Sequence, residues 1–407
     1  MKGLKTVTVS KKGEAFLKDG RIWVYDAEVE RLDEGINNGD IVNVYSIKGR
    51  FLGAGFYNDR SKIRVRILSG NMNDLFDEAF FARRVRYAVD YRLTALGDLT
   101  NARLIFGDAD GLPGLIVDKF GDVLVSQIMC LGIETRKDLI FAALLEILRE
   151  KGEKVSCIFE RNDVEVRKKE GLPTGKGYYR HPSLKMEEDG LSGVAAIEEN
   201  GVKYEVDYIN GQKTGFFLDQ RFNRLAAASI AKDKTVLDCF THTGAFALNC
   251  AKAGAKNVTA VDISPLAIDR SKANAALNDL TNVDFICADV FDFLDALYAE
   301  KRKPFDYIIL DPPAFTKSHK TVDPAFHGYK QINLKAMRLL PRGGYLATCS
   351  CSHFMTDALF RKMLLEAANE AGVQLRLMEY RQQAKDHPVL LGVPETEYLG
   401  FYILQVV

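Results

Sequence analysis

Several things are scarce in this 407-residue chain, and each scarcity excludes something. Net charge is absent, because 55 Lys and Arg balance 55 Asp and Glu. A whole-chain field for nucleic acid is therefore missing, and any such surface must be a local basic patch. No apolar run is long enough to span a bilayer, and Met1 leads into polar, Lys-rich sequence without the apolar core of a secretory signal, so a cytoplasmic location is expected. The seven cysteines (Cys130, Cys157, Cys239, Cys250, Cys287, Cys349 and Cys351) are odd in number and never spaced C-x-x-C. That disfavours a zinc or dithiol site, no metal is expected, and the thiols read as reduced, mostly core filler. A G-x-G-x-x-G fingerprint is also missing, which weakens a nicotinamide dinucleotide reading.

What is present suits a large folded chain. Hydrophobic residues make up 47% and charged residues 27%, and the length calls for two or three domains. From Lys5 to about Leu68 short alternating runs (Thr6–Val9, Ile22–Tyr25, Asp40–Tyr45, Phe51–Tyr57, Ile63–Leu68) are separated by turn clusters such as Asn37-Asn38-Gly39-Asp40, which predicts a small β-barrel. A helix is predicted from about Leu75 to Leu96. Mixed α+β texture follows, with strands at Val123–Ile128 and Cys157–Glu160, a helix over Arg136–Lys151, and a loop-like boundary over Gly171–Gly190.

Beyond Asp233 strand and helix alternate, the mark of an α/β, doubly wound, mostly parallel sheet. The strands are Thr235–Cys239, Asn257–Asp262, Asp284–Cys287, Tyr307–Asp311 and Gly344–Cys349, with a helix at Pro265–Leu277. The expected domains are 1–74, 75–190 and 191–407.

Acidic residues recur at successive strand ends in the last domain. Asp238 precedes a turn containing Thr243 and Gly244, Asp262 closes the next strand, Asp289 follows the third, and Asp311-Pro312-Pro313 ends the fourth. In such sheets ligands bind outside the carboxyl ends of the strands, and an acid one strand on from the first turn is placed to receive a ribose hydroxyl. One or two such acids could simply cap helices. Four in order describe a pocket for a ligand with amino-acid, ribose and adenine parts.

The order Asp238-to-Gly244, Asp262, Asp289, Asp311-Pro312-Pro313-Ala314-Phe315 resembles the motifs of class I S-adenosylmethionine methyltransferases. Lys213-Thr214-Gly215-Phe216-Phe217-Leu218-Asp219-Gln220-Arg221 resembles a segment of bacterial large-subunit rRNA methyltransferases, and Gly107–Asp122 resembles the opening of the middle domain in the 23S rRNA cytosine-C5 group. Gly13-Glu14 and Arg21–Tyr25 look like that group's N-terminal PUA domain. The resemblance implies a Rossmann-like methyltransferase domain preceded by a PUA barrel and an α+β middle domain. It implies S-adenosylmethionine as cofactor and S-adenosylhomocysteine as product, with Phe217, Asp219, Gln220, Arg221, Asp238, Thr243, Gly244, Asp262, Asp289 and Asp311 around it. It implies 23S rRNA or a large-subunit assembly intermediate as partner, and it is compatible with a homodimer.

Cytosine C5 is a weak nucleophile until a thiolate adds at C6, so the implied reaction needs a cysteine beside a flipped-out base. Thr348-Cys349-Ser350-Cys351-Ser352-His353 offers two. Strand alternation puts them on one face, with Cys351 further toward the carboxyl end. In the family the cysteine of a Ser-Cys-Ser segment is the nucleophile, which selects Cys351 and leaves Cys349 as runner-up. Asp311 is the expected partner on the cytosine N3 edge. Ala314 stands where some RNA cytosine-C5 enzymes carry a second cysteine, which puts a two-cysteine cycle in doubt. His353 beside the thiols and the Asp386-His387-Pro388-Val389 segment are secondary candidates, as is His242 for loop shape.

RNA phosphates could meet Lys11-Lys12 with Arg21 and Trp23, Arg83-Arg84 with Arg86, Arg167-Lys168-Lys169, or Lys317 with Lys320, and bases could stack near Tyr178–His181. Two other readings stay open: N-methylation of rRNA through the Asp-Pro-Pro loop, which needs no thiol, and a non-catalytic RNA-binding ribosome-assembly factor.

Overall fold

The computed structural model describes residues 3–182, 184, 191–301, 303–316 and 318–407. They form two compact units. The first comprises the described residues of Met1–Ile197, Val206–Leu218 and Lys385–Thr396, and the second Glu198–Glu205, Asp219–Ala384 and Glu397–Val407.

In the first unit a six-stranded sheet is built from β1 (Thr6–Val9), β2 (Trp23–Tyr25), β3 (Val29–Leu32), β4 (Ile41–Ser46), β5 (Phe51–Tyr57) and β6 (Ile63–Ser69), in the order β2-β6-β5-β4-β1-β3. Only β1 and β4 run parallel; the other neighbours are antiparallel, with register shifts in four of the pairs that let the sheet curl. Val7, Val9, Val24, Val42, Val44, Tyr57 and Val65 point inward as its core. Helix α1 (Lys11–Lys18) and β3 did not show in the sequence; Ser10 caps α1 by accepting from the Gly13 N–H at 3.2 Å.

A second, five-stranded sheet follows α2 (Glu78–Leu96): β7 (Asn101–Phe106), β8 (Leu115–Phe120), β9 (Val123–Ile128), β10 (Cys157–Asn162) and β11 (Gly175–Tyr179), ordered β11-β10-β9-β8-β7. Short α3 (Leu131–Glu134), α4 (Lys137–Glu150) and α5 (Val166–Lys169) fill the connections. Asp77 caps α2 and Gly97 ends it in the left-handed region, φ 85°. Phe80, Phe81, Val85 and Val89 of α2 share one core with Ile140, Phe141 and Leu144 of α4. Strand β11 corrects the loop expected over Gly171–Gly190, of which 183 and 185–190 lie outside the described residues. Pairing with β10 overrides the glycine-rich sequence, and Tyr179 is buried with its hydroxyl donating to Asp138 at 2.6 Å.

The hairpin of β12 (Val194–Glu199) and β13 (Val202–Asp207) lies where the chain changes unit. The second unit then adds β14 (Thr235–Cys239), β15 (Asn257–Asp262), β16 (Val283–Cys287), β17 (Tyr307–Leu310), β18 (Tyr345–Ser350), β19 (Leu375–Arg381) and β20 (Gly400–Val406). Their order is β16-β15-β14-β17-β18-β20-β19, parallel except for β20, which is antiparallel to both neighbours. Helices α6 (Arg221–Ser229), α7 (Ala245–Lys252), α8 (Pro265–Leu277), α9 (Val290–Ala299), α10 (Val322–Leu339) and α11 (Asp357–Ala371) connect the strands. Apolar cores contain Val236, Ala247 and Ile309 in one cluster and Leu237, Leu310 and Tyr329 in another. Chain order reverses between β14 and β17, the switch point where an open α/β sheet opens a ligand crevice. This is a Rossmann-like, doubly wound α/β fold.

Candidate active site

The turn after β14 is held in an unusual conformation. Phe240, His242 and Gly244 have φ of 62°, 52° and 84°. Only the last is glycine, so the first two store backbone strain of the kind kept at ligand sites. At Gly244 a Cβ would lie 3.2 Å from the Ser271 Cβ, so the left-handed turn also permits close helix contact. Asp238 is fully buried beneath the turn. Its Oδ2 accepts from Thr241 Oγ1 at 2.6 Å and from the Ala247 N–H at 2.9 Å. Its Oδ1 and the neighbouring Thr243 Oγ1 are buried with no partner among the described residues. Burial pushes the Asp238 carboxyl up to about 7.

The remaining strand ends gather round this turn. Asp262 Oδ2 accepts from the His242 N–H and its Oδ1 from the Ser264 N–H, both at 2.9 Å. His242 thus shapes the loop through its backbone. The Ala288 N–H donates to the Asp262 carbonyl at 3.0 Å, which sets exposed Asp289 beside that strand end. Asp289 also caps α9, accepting from the Phe291 and Asp292 N–H groups at 2.8 and 3.2 Å.

A second cluster forms at the ends of β17 and β18. Asp311 Oδ1 accepts from Gln220 Nε2 at 3.1 Å and from the Cys349 thiol at 2.9 Å, and Gln220 Nε2 also approaches Cys349 Sγ at 3.4 Å. Asn223 Nδ2 donates to Gln220 Oε1 at 2.7 Å and fixes which way the amide faces. Burial raises the pKa of Asp311, with the two donors acting against that rise. Cys349 is wholly buried, and burial, with Asp311 adding to it, pushes its thiol well above the usual range. Cys351 is half-buried just past the strand, its Sγ 3.8 Å from the Pro312 carbonyl. Both flanking serines are tied down: Ser350 Oγ lies 3.2 Å from the Tyr329 hydroxyl, and Ser352 Oγ donates to the Thr316 carbonyl at 2.9 Å. His353 Nδ1 sits 3.1 Å from the Glu397 carbonyl.

Of the other residues expected at the site, Asp219 Oδ2 accepts from the Tyr398 hydroxyl at 2.7 Å. Arg221 Nε lies 3.3 Å from Glu199 Oε2, while Arg224 Nε lies 2.6 Å from Glu199 Oε1, an ion-paired group within the second unit. Phe217 belongs to the first unit, where Lys213 Nζ sits 4.5 Å over its ring. Thr241, Asn223 and Tyr398 escaped the sequence reading. Only Thr241, three residues after Asp238, carried a local signal.

Within the first unit the basic candidates are mostly engaged. Arg167 is buried, bonded to the Pro173 carbonyl at 2.7 Å and paired with Glu134 at 2.9 Å, which removes it as a phosphate contact. Arg21 pairs with Glu28, Arg86 with Glu150, and the Trp23 indole donates to Asp108. Lys11 and Lys12 are exposed, and Lys317 lies outside the described residues. Buried His387 contacts Asp386, which accepts from the Arg103 N–H, so that segment packs within the unit.

A doubly wound sheet with acids at consecutive strand ends, a strained first turn and two buried oxygens without partners among the described residues is an arrangement compatible with a class I methyltransferase. Residues 186–392 match the S-adenosylmethionine-dependent methyltransferase family and residues 7–70 the PUA-like domain. The chain belongs to the S-adenosylmethionine-dependent methyltransferase family, and S-adenosylmethionine is its cofactor. Its relatives include two proteins named Ribosomal RNA large subunit methyltransferase I. The one from Aliivibrio fischeri (strain MJ11) is 40% identical over 406 residues, 99% of each chain. The one from Aeromonas salmonicida (strain A449) is 42% identical over 385 residues, 94% of this chain and 93% of that one. A solved structure assigned to the SAM-dependent methyltransferases of Streptococcus mutans shares the fold across 98% of this chain and 100% of that one, with TM-score 0.81 and 23% identity.

The cofactor fits the residues present. Asp238 Oδ1 and Thr243 Oγ1 are buried acceptors awaiting donors, and a buried polar atom left unpaired costs about 1–3 kcal/mol, which a ligand's donors would recover.

Proposed function

We propose that this chain forms 5-methylcytosine in large-subunit (23S) ribosomal RNA, with Cys351 as nucleophile. The observation that supports it most is the placement of Cys351: half-buried at the carboxyl end of β18, against the Asp311-Pro312-Pro313 loop, with a tethered serine on either side. The names of its full-length relatives support the substrate. When bound, S-adenosylmethionine supplies an electrophilic methyl on a sulfonium. In this reading the Phe240–Gly244 turn, with Asp238 and Thr243, holds its amino-acid end, Asp262 the ribose and Asp289 the adenine, while Asp219, Gln220 and Arg221 close the site from α6 and the turn before it.

The Cys351 thiolate adds to C6 of the target cytosine, and the ring electrons move toward C5 as N3 takes a proton from Asp311. That makes C5 nucleophilic toward the methyl group. Once C5 is methylated, water takes the C5 proton, its electrons reform the C5–C6 double bond as the C6–S bond breaks and the thiolate leaves, and N3 returns its proton to the Asp311 carboxylate. Burial raises the pKa of Asp311, which favours the protonated carboxyl that this role needs. The buried Cys349, whose thiol is pushed away from ionisation, is the poorer nucleophile of the pair. The division into 1–74, 75–190 and 191–407 belongs to this reading, with the PUA-like barrel and its exposed Lys11 and Lys12 as one RNA contact.

Labelled methyl transfer to large-subunit rRNA, followed by nucleoside analysis, tests the proposal. Wild type is expected to yield 5-methylcytidine and Cys351→Ala none. An N-methylated nucleoside from a Cys351→Ala enzyme that stays active would replace the thiol route with direct transfer to an exocyclic amine beside Asp311.

A further inference from the structure

The buried thiol of Cys349 has no role in the reaction just described, yet it lies against the group that does. Asp311 Oδ1 receives two donors, the Cys349 thiol at 2.9 Å and Gln220 Nε2 at 3.1 Å. Asp311 Oδ2 has no hydrogen-bond partner among the described residues, and the residue is partly open to solvent. A carboxyl oxygen has two lone pairs, and one that already accepts two hydrogen bonds has none left to bind a proton. We propose that Cys349 is a positioning residue that, together with Gln220, confines the acid proton of Asp311 to Oδ2, the oxygen left free for substrate. This rests on the reading of Asp311 as the proton donor to the base.

The surroundings make Cys349 a suitable donor. It is fully buried on β18, and Asp311 and burial both hold it as a thiol, so the S–H is available to donate. Gln220 cannot turn its carbonyl toward Asp311, because Oε1 is held by Asn223 Nδ2, itself within 3.3 Å of the Gln382 carbonyl. The charged and titratable groups facing Asp311 are Asp219 before α6, Arg224 on α6, Asp238 on β14 and, through Cys349, Cys351. All remain in place when Cys349 alone is changed.

The test measures kcat against pH, with KM for S-adenosylmethionine, for wild type, Cys349→Ala and Cys349→Ser, each checked for folding by its melting temperature and each product identified as a nucleoside. Loss of the thiol donor in Cys349→Ala removes a stabiliser of the carboxylate. The high-pH limb of kcat is therefore expected to move to higher pH, and kcat to fall about three- to tenfold as the proton loses its fixed oxygen. KM for S-adenosylmethionine should stay within about twofold. The serine hydroxyl should restore the pH limb and most of kcat. If alanine and serine variants share one profile with wild type, or are equally impaired, Cys349 only packs and the proposal is overturned. If Cys349→Ala yields no product while Cys351→Ala, assayed as above, still forms 5-methylcytidine, Cys349 is the nucleophile, and the proposal again falls. A wild type that produces some other methylated nucleoside overturns the cytosine reading, and this proposal with it.

Discussion

Replacing Asp238 by asparagine should make the cofactor-free protein more stable and less able to bind its cofactor. The carboxyl is fully buried, and its pKa is raised from 3.8 to about 7, chiefly by loss of hydration. A carboxyl whose folded pKa exceeds its unfolded one stabilises the fold fully below the unfolded value, and that contribution is lost as pH rises through the folded value. Between about pH 4 and pH 8 the shift of roughly three units corresponds to about 4 kcal/mol of lost stability as a ceiling. Asparagine can present its oxygen to Thr241 and Ala247 and cannot ionise. At pH 8 the variant should therefore melt higher than wild type, by roughly 5–15 °C if most of the ceiling is realised. At about pH 3.5, below the unfolded value, the two curves should nearly coincide. Calorimetric titration with S-adenosylmethionine should show at least about tenfold weaker binding, because the buried acceptor Oδ1 has become a donor. Equal melting differences at both pH values would refute the argument, since a neutral packing effect has no such pH dependence.

Two further outcomes follow from the same unit. Glu199→Ala removes the carboxylate that pairs with Arg224, which is 2% exposed, and with Arg221, and losing one partner of a buried pair should cost up to about 3–5 kcal/mol, read as a lower urea midpoint. Gly244→Ala forces a side chain into φ 84° against Ser271; roughly 1–2 kcal/mol of stability should be lost, with cofactor affinity falling further than stability alone explains.

The strands that carry the site were legible because buried parallel strands read as apolar runs. Thr235–Cys239 and Asn257–Asp262 lie where the sequence put them, and Ser264-Pro265, a cap followed by proline, marks the start of the helix running to Leu277. The strand-end acids could be ordered for the same reason. What sequence could not give was long-range. Nothing near Gln220 points to Asp311 or Cys349, which lie 91 and 129 residues on. Nothing near Arg221 announces Glu199. The alternation of Cys349 and Cys351 was visible, but their separation into a wholly buried thiol and a half-buried one depends on β18 ending at Ser350. Strand β11 was hidden because glycine and lysine give no apolar pattern until a neighbour supplies the hydrogen bonds.

The interleaved chain also sets a timetable for synthesis. Residues 219–384 separate two segments of the first unit, Val206–Leu218 and Lys385–Thr396. At about 5–20 residues per second that unit waits on the order of ten to thirty seconds on the ribosome for its remaining piece. The second unit waits too, because β20 follows its six sheet partners in the chain yet is inserted between β18 and β19. Until β20 emerges, both of those strands have open edges, and a nascent chain with exposed strand edges is where a chaperone would be needed most.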